Sequence, residues 1–182
     1  MAQANLSGIS TTVSSSSTTI SLHAPMPDNH PMLSVVGQVA NQWAHIEHTL
    51  DTIVWRLAEV EPKKGSCITA QLTGSHPRFK AIISLATIRG FDKQLIADII
   101  VMMNRMQGKT DKRNRAVHDA WYSEVTTNKP SQYKSTPFKD YSFGLQEADA
   151  QELSETIRES KEAFEEVSNL YRRFDDLLPP LP

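Results

Sequence analysis

The chain has 182 residues, a length that fits one domain plus a tail, and its apolar fraction of 39% is slightly low for a globular protein. A net charge of −2 excludes a global basic field for drawing in nucleic acid, so polyanion binding requires a local patch. A single cysteine, Cys67, excludes an internal disulfide or a zinc knuckle and suits a reducing, cytoplasmic setting; no apolar run approaches the roughly 20 residues that span a bilayer, so no membrane is expected.

Residues 1–31 are Ser/Thr-rich, carry almost no charge and end in the proline-marked segment Pro25 to Pro31. They lack apolar periodicity and read as a disordered tail. No Lys or Arg precedes Arg56, so the basic region of a secretory leader is missing. From residue 32 onward the pattern is helical. Trp43, Ile46, Leu50, Ile53, Leu57 and Val60 recur at steps of three and four, the seam of an amphipathic helix over Leu33 to Val60 that Pro62 and Gly65 end. A short helical piece follows through Ile68 to Leu72. Gly74 to Pro77 breaks the chain, and Ser75 is placed to cap a helix running to Arg89, with Phe79, Ile82 and Ile83 facing inward.

Gly90 closes that helix and Asp92 caps the next. Ile96, Ile99, Ile100, Met103 and Met106 continue as its apolar face, with Gly108 as a site for a kink, and the helix reaches about His118. Between Trp121 and Phe143 the signals change to Asn128-Lys129-Pro130 and Thr136-Pro137 turns flanked by aromatic and β-branched residues, which predicts a small hairpin. The last helix spans Ala148 to Leu178, with Leu153, Ile157, Phe164, Val167, Tyr171, Phe174 and Leu178 as its stripe and Pro179 and Pro180 as its stop. The expected fold is therefore all-α: an antiparallel bundle of about four main helices with a small irregular or hairpin insert.

The third long helix breaks its own pattern near its end. At about 100° per residue, Asn114 falls in the middle of the apolar stripe, with Arg113 at one border and His118 at the other. Polar groups facing a core cost about 1–3 kcal/mol each when unsatisfied, so a cluster of them marks either a site or the point where burial ends. Asn114 and His118 are four apart and lie on one helix face. Lys109, Lys112, Arg113 and Arg115, against one Asp111, form the only concentrated basic patch in an acidic chain, and a cation cluster beside a titratable imidazole suits a phosphodiester. Other candidates are weaker. His45, His48 and Asp51 lie at steps of three but face away from the Trp43 seam and read as a solvated face; Cys67 has no base partner, and the acids of the last helix read as its outer face.

Arg113-Asn114-Arg115-Ala116-Val117-His118, on a long helix within a small bundle, resembles the ribonuclease motif of HEPN domains, in which Arg and a polar residue precede His by a few positions. The resemblance spans about residues 33–178, and its specific part is this six-residue motif. It implies a metal-independent endoribonuclease cleaving single-stranded RNA, without a cofactor, in a toxin–antitoxin or antiviral-defence context, with Arg113, Asn114 and His118 catalytic and Arg115, Lys112 and Lys109 on the RNA. It further implies a homodimer joining two motifs. One position departs from the family: Asp119 follows the His where a small residue is common, and a carboxylate there either orients the ring or repels a phosphate. The alternative within the same family is a non-catalytic dimerisation or protein-interaction module. Arg113, Asn114 and His118 would then form a buried polar network that sets helix register.

Overall fold

The computed structural model describes residues 10–12, 21–136 and 142–179. Five helices and five strands follow in the order β1 (Ser10–Thr12), β2 (Ser21–Pro25), α1 (Pro31–Ala58), α2 (Pro62–Thr69), α3 (Ser75–Ile88), α4 (Lys93–His118), β3 (Trp121–Glu124), β4 (Pro130–Thr136), β5 (Ser142–Glu147) and α5 (Ala150–Leu177). They fall into two compact units, Gln38–Arg113 with Ser154–Pro182 and Met1–Gly37 with Asn114–Leu153. The all-α expectation is therefore corrected: five strands join in one antiparallel sheet of order β1-β2-β3-β4-β5.

The helical unit is built on the seam that the periodicity marks. Trp43, Ile46, Leu50, Ile53 and Leu57 of α1 are buried together with Phe79, Ile82, Leu95, Ile99, Met106, Val167 and Phe174. Burying one such side chain is worth about 1.5–3 kcal/mol, so this cluster is the main source of the unit's stability. α1 stops at Ala58 because Glu59 turns to φ +55°. The Val60 N–H then reaches the Trp55 carbonyl at 3.1 Å and the Glu59 N–H reaches that of Arg56 at 3.3 Å, the paired bonds of a Schellman cap. Gly90, at φ +72°, ends α3 in the same way. The expected short helix lies earlier, as α2, and packs by its Gly65 on the Trp55 indole, which also donates to Thr69 at 3.2 Å. A Cβ at Gly65 would overlap that ring.

The helices are not simply antiparallel neighbours. Asp51 of α1 meets Arg78 of α3, and Leu57 and Glu59 meet Arg89, so those helices run the same way. His45 faces Phe164 and Arg56 pairs with Asp175, which makes α5 parallel to α1 as well. Asp98–Arg173, Arg105–Glu166 and Lys112–Glu159 contacts make α4 antiparallel to α5. α2 and its loop supply the short return between α1 and α3. On α5 the buried stripe is Ala163, Val167, Leu170 and Phe174, carried on just past the helix end by Leu178 and continued backward by buried Ser160 and Thr156. Ile157, Phe164 and Tyr171, expected in it, lie at its border and are half-buried. The Ser160 hydroxyl is satisfied by donating to the Thr156 carbonyl at 2.7 Å.

The sheet unit has a different logic. Residues 21–25, expected within a disordered tail, form β2 and pair with β3 in the register His23↔Glu124, Ala24↔Ser123 and Pro25↔Tyr122. Of that expected tail, residues 1–9 and 13–20 lie outside the described residues, as do Pro137 and Pro180 among the expected turn and stop signals. Asn128, at φ +57°, makes the β3–β4 turn that the Asn-Lys-Pro signal marks. The His30 ring fastens the start of α1 by accepting from the Met32 N–H at 3.1 Å, while its other nitrogen lies 3.3 Å from the Asn128 carbonyl.

Candidate functional site

α4 is one helix from Lys93 to His118, and Gly108 neither ends it nor interrupts it. Asp92 caps its start, accepting from the Gln94 N–H at 2.7 Å and the Leu95 N–H at 3.3 Å. The apolar face of α4, with Leu95, Ile99 and Met106 buried, gives way beyond Met106. There Thr110 donates to the Met106 carbonyl at 2.8 Å and lies 3.3 Å from the hydroxyl of buried Ser75. The polar positions flagged in the sequence therefore begin where hydroxyls replace aliphatic groups.

Within the helical unit, the lysines expected on RNA are ion-paired to α5. Lys112 Nζ is 2.6 Å from Glu159 Oε1, and Lys109 Nζ is 3.8 Å from Glu166 Oε1, which Arg105 also engages through Oε2 at 3.0 Å. Two of the four cations of the basic patch, Lys109 and Lys112, are thus compensated by carboxylates 47 or more residues away. Arg113, the last residue of this unit's first segment, is half-buried on α4.

The sheet unit holds the rest of the motif. Asn114 and Val117 are half-buried, Ala116 is buried, and Arg115 and His118 are exposed. Asn114 and His118 stand one turn apart on a continuous helix, the adjacency their spacing predicts. An α-helix leaves its last four carbonyls without intrahelical partners. Here two are taken by side chains from the sheet: Gln132 Nε2 donates to the Arg115 carbonyl at 2.7 Å, and Trp121 Nε1 donates to that of Ala116 at 2.9 Å. The Asp119 N–H closes the last turn onto the Arg115 carbonyl at 3.2 Å.

Asp119 is half-buried, and burial pushes its carboxyl above the usual carboxylate value; the positive charges of Arg115, Lys134 and His118 act in the opposite direction. Lys134 of β4, which also pairs with Glu152 at 3.5 Å, is therefore a cation in the electrostatic environment of this helix end that the sequence reading missed. So were Gln132 and Trp121 as caps. Among the described residues no group of three or more His, Cys, Asp or Glu side chains is arranged to hold a metal ion. No described helix is long and apolar enough to cross a membrane.

A second polar cluster, in the helical unit, also escaped the sequence reading. Arg78, only 8% exposed, is held by Asp51 through Nε at 2.7 Å and Nη2 at 3.4 Å, and its Nη1 donates to the Leu72 and Gly74 carbonyls at 2.6 and 2.8 Å. Asp51, expected on a solvated face, is half-buried instead. Its guanidinium partner lies one turn before Ile82 on the inward face of α3, the signal that would have flagged it. The fork is held by Asp51 of α1 and by the Leu72 and Gly74 carbonyls of the α2–α3 loop, so this cluster clamps the fold.

No known protein family, curated protein or solved structure matches this chain in sequence or fold comparison.

Proposed function

We propose that this chain is a metal-independent endoribonuclease of the HEPN type that cleaves single-stranded RNA and acts as a cytoplasmic homodimer. The observation that carries this reading is the exposed His118 imidazole, one turn from Asn114 and beside exposed Arg115, on a helix end capped by side chains. His118 accepts the proton of a ribose 2′-hydroxyl. The 2′-oxygen then attacks phosphorus, the bond to the 5′-oxygen breaks, and the leaving oxygen takes a proton from an acid at the second motif of the dimer or from water. Arg113 stabilises the charge on the phosphorane, Asn114 orients the ring or the phosphate, and Arg115, Lys112 and Lys109 hold the flanking backbone. The products are a 2′,3′-cyclic phosphate and a 5′-hydroxyl. A toxin–antitoxin or antiviral-defence setting fits such an activity. The test is end-group analysis of single-stranded RNA incubated with the protein in EDTA: cyclic phosphate ends support the reading, and intact RNA refutes it.

A second reading has its own support. Lys112 and Lys109 lie against Glu159 and Glu166, which lowers the positive potential along α4. That arrangement favours a non-catalytic dimerisation or protein-interaction module. The same incubation separates the two, because a module leaves RNA uncut at every protein concentration.

A further inference from the structure

The residue asked to move a proton is the last residue of its helix, and helix ends fray. An imidazole on a fraying turn samples many positions, whereas proton transfer requires it within hydrogen-bond reach of the 2′-hydroxyl. The structure contains a device against that. Trp121 and Gln132 face each other as register partners on adjacent strands β3 and β4, so their side chains leave the sheet on the same face. Both reach the final turn of α4, at consecutive carbonyls: Ala116 for Trp121 and Arg115 for Gln132. Gln132 is 7% exposed, and its amide donates at 2.7 Å to the very oxygen that also receives the Asp119 N–H. The chain leaving the helix is pinned to the same strand, where the Tyr133 N–H donates to the Ala120 carbonyl at 2.9 Å. Residues 115 and 116 before His118 are thus tied to one rung of the sheet, and residue 120 after it to the next residue of β4.

We propose that Gln132 and Trp121 are positioning residues that lock the last turn of α4 and thereby set the place and orientation of the His118 ring. The catalytic meaning of that lock rests on the ribonuclease reading; the lock itself is a property of His118 that is measurable without RNA. The sheet thereby acquires a positioning role: one rung of it carries the donors that hold the end of α4.

The experiment compares the full chain with two variants that remove the donor, the near-isosteric Gln132→Met and the smaller aromatic Trp121→Phe. The imidazole resonances of His118, assigned through His118→Ala, are followed by NMR through a pH titration, together with exchange of the Asp119 amide. Expected are a broadened or shifted His118 signal with an altered titration curve in both variants and Asp119 amide exchange faster by at least about tenfold, while resonances of the other histidines stay in place. With RNA, kcat falls roughly 10- to 100-fold at unchanged KM, the mark of a misplaced group and not of lost substrate binding. A His118 signal and titration identical to wild type in both variants overturns the proposal, whatever their melting temperatures. If the wild-type chain cleaves no RNA, the ribonuclease reading fails by itself, and the imidazole and amide signals still decide whether the rung positions His118. Should Gln132→Met fail to fold, Trp121→Phe, which keeps an aromatic ring and loses the N–H together with the five-membered part of the indole, carries the test alone.

Discussion

Replacing Asp51 by Ala probes the Arg78 clamp where the structure allows a magnitude. The substitution removes both oxygens that hold Nε and Nη2 at 2.7 and 3.4 Å and leaves a guanidinium that is 8% exposed. The remaining carboxylate, Glu47, stands 3.9 Å from Nη1, and the Leu72 and Gly74 carbonyls still accept from that nitrogen. Breaking one partner of a buried pair costs about 3–5 kcal/mol because the other charge stays uncompensated. Glu47 and the partial exposure of Asp51 bring the expected cost to the low end, about 3 kcal/mol. Adding Arg78→Met to Asp51→Ala removes the stranded charge and should recover part of that loss, so the double variant is the more stable of the two. Urea unfolding followed by circular dichroism measures each difference, provided the slope is unchanged. A loss below about 0.5 kcal/mol for Asp51→Ala, or a double variant weaker than the single, would refute the claim that this pair clamps α1 to α3.

Gly108 lies exposed in the interior of α4, and a Cβ there meets nothing within 4 Å. Gly108→Ala should therefore stabilise the fold by about 0.5–1 kcal/mol in the same urea assay. Asp119 titrates above its ordinary value of 3.8 when folded, so the folded chain holds that proton more tightly than the unfolded one. Its contribution is fully present below about pH 3.8 and is lost as pH rises through the folded value. Asp119→Asn should accordingly gain stability relative to wild type on going from pH 3 to about pH 7, a difference that thermal melts across this range detect. Glu159→Gln frees Lys112 from its 2.6 Å ion pair, and under the ribonuclease reading this strengthens RNA binding. The slope of log affinity against log salt should steepen by about 0.7, one added phosphate contact on single-stranded RNA, as read by fluorescence anisotropy.

The helices were legible because burial imposes a period on the chain. Trp43, Ile46, Leu50, Ile53 and Leu57 repeat at helical steps and are all buried, and Asp92 and Gly90 carry the start and stop chemistry, respectively, that helix ends need. The sheet was largely illegible for the converse reason. β2 reads Ser-Leu-His-Ala-Pro and β4 reads Pro-Ser-Gln-Tyr-Lys-Ser-Thr, so polar residues fill positions where an apolar alternation would reveal a strand. What holds those strands is backbone pairing, which leaves little trace in side-chain pattern. Position 160 shows another limit: small Ser160 and Thr156 sit at buried places on α5 that a count of large apolar residues passes over, and Ile157, Phe164 and Tyr171 each stand one residue from the buried Thr156, Ala163 and Leu170, while Leu153, Val167, Phe174 and Leu178 are buried as expected.

The candidate site divides along the same line. Arg113 to His118 stand out because three polar residues interrupt a periodic helix, and one helix suffices to bring Asn114 beside His118. The ion pairs of Lys109 and Lys112, and the caps from Gln132 and Trp121, depend on which elements fold against α4. Gln132 is 17 residues from the carbonyl it caps, and nothing local couples the two.

The central claim rests on His118 as the proton-transfer group. Its most direct test is the initial rate of single-stranded RNA cleavage in EDTA by the full chain and by His118→Ala. The account predicts metal-independent cleavage by the wild type and a rate lower by roughly 10²- to 10⁴-fold in the variant. Equal rates in the two proteins, or no cleavage by either, would contradict it.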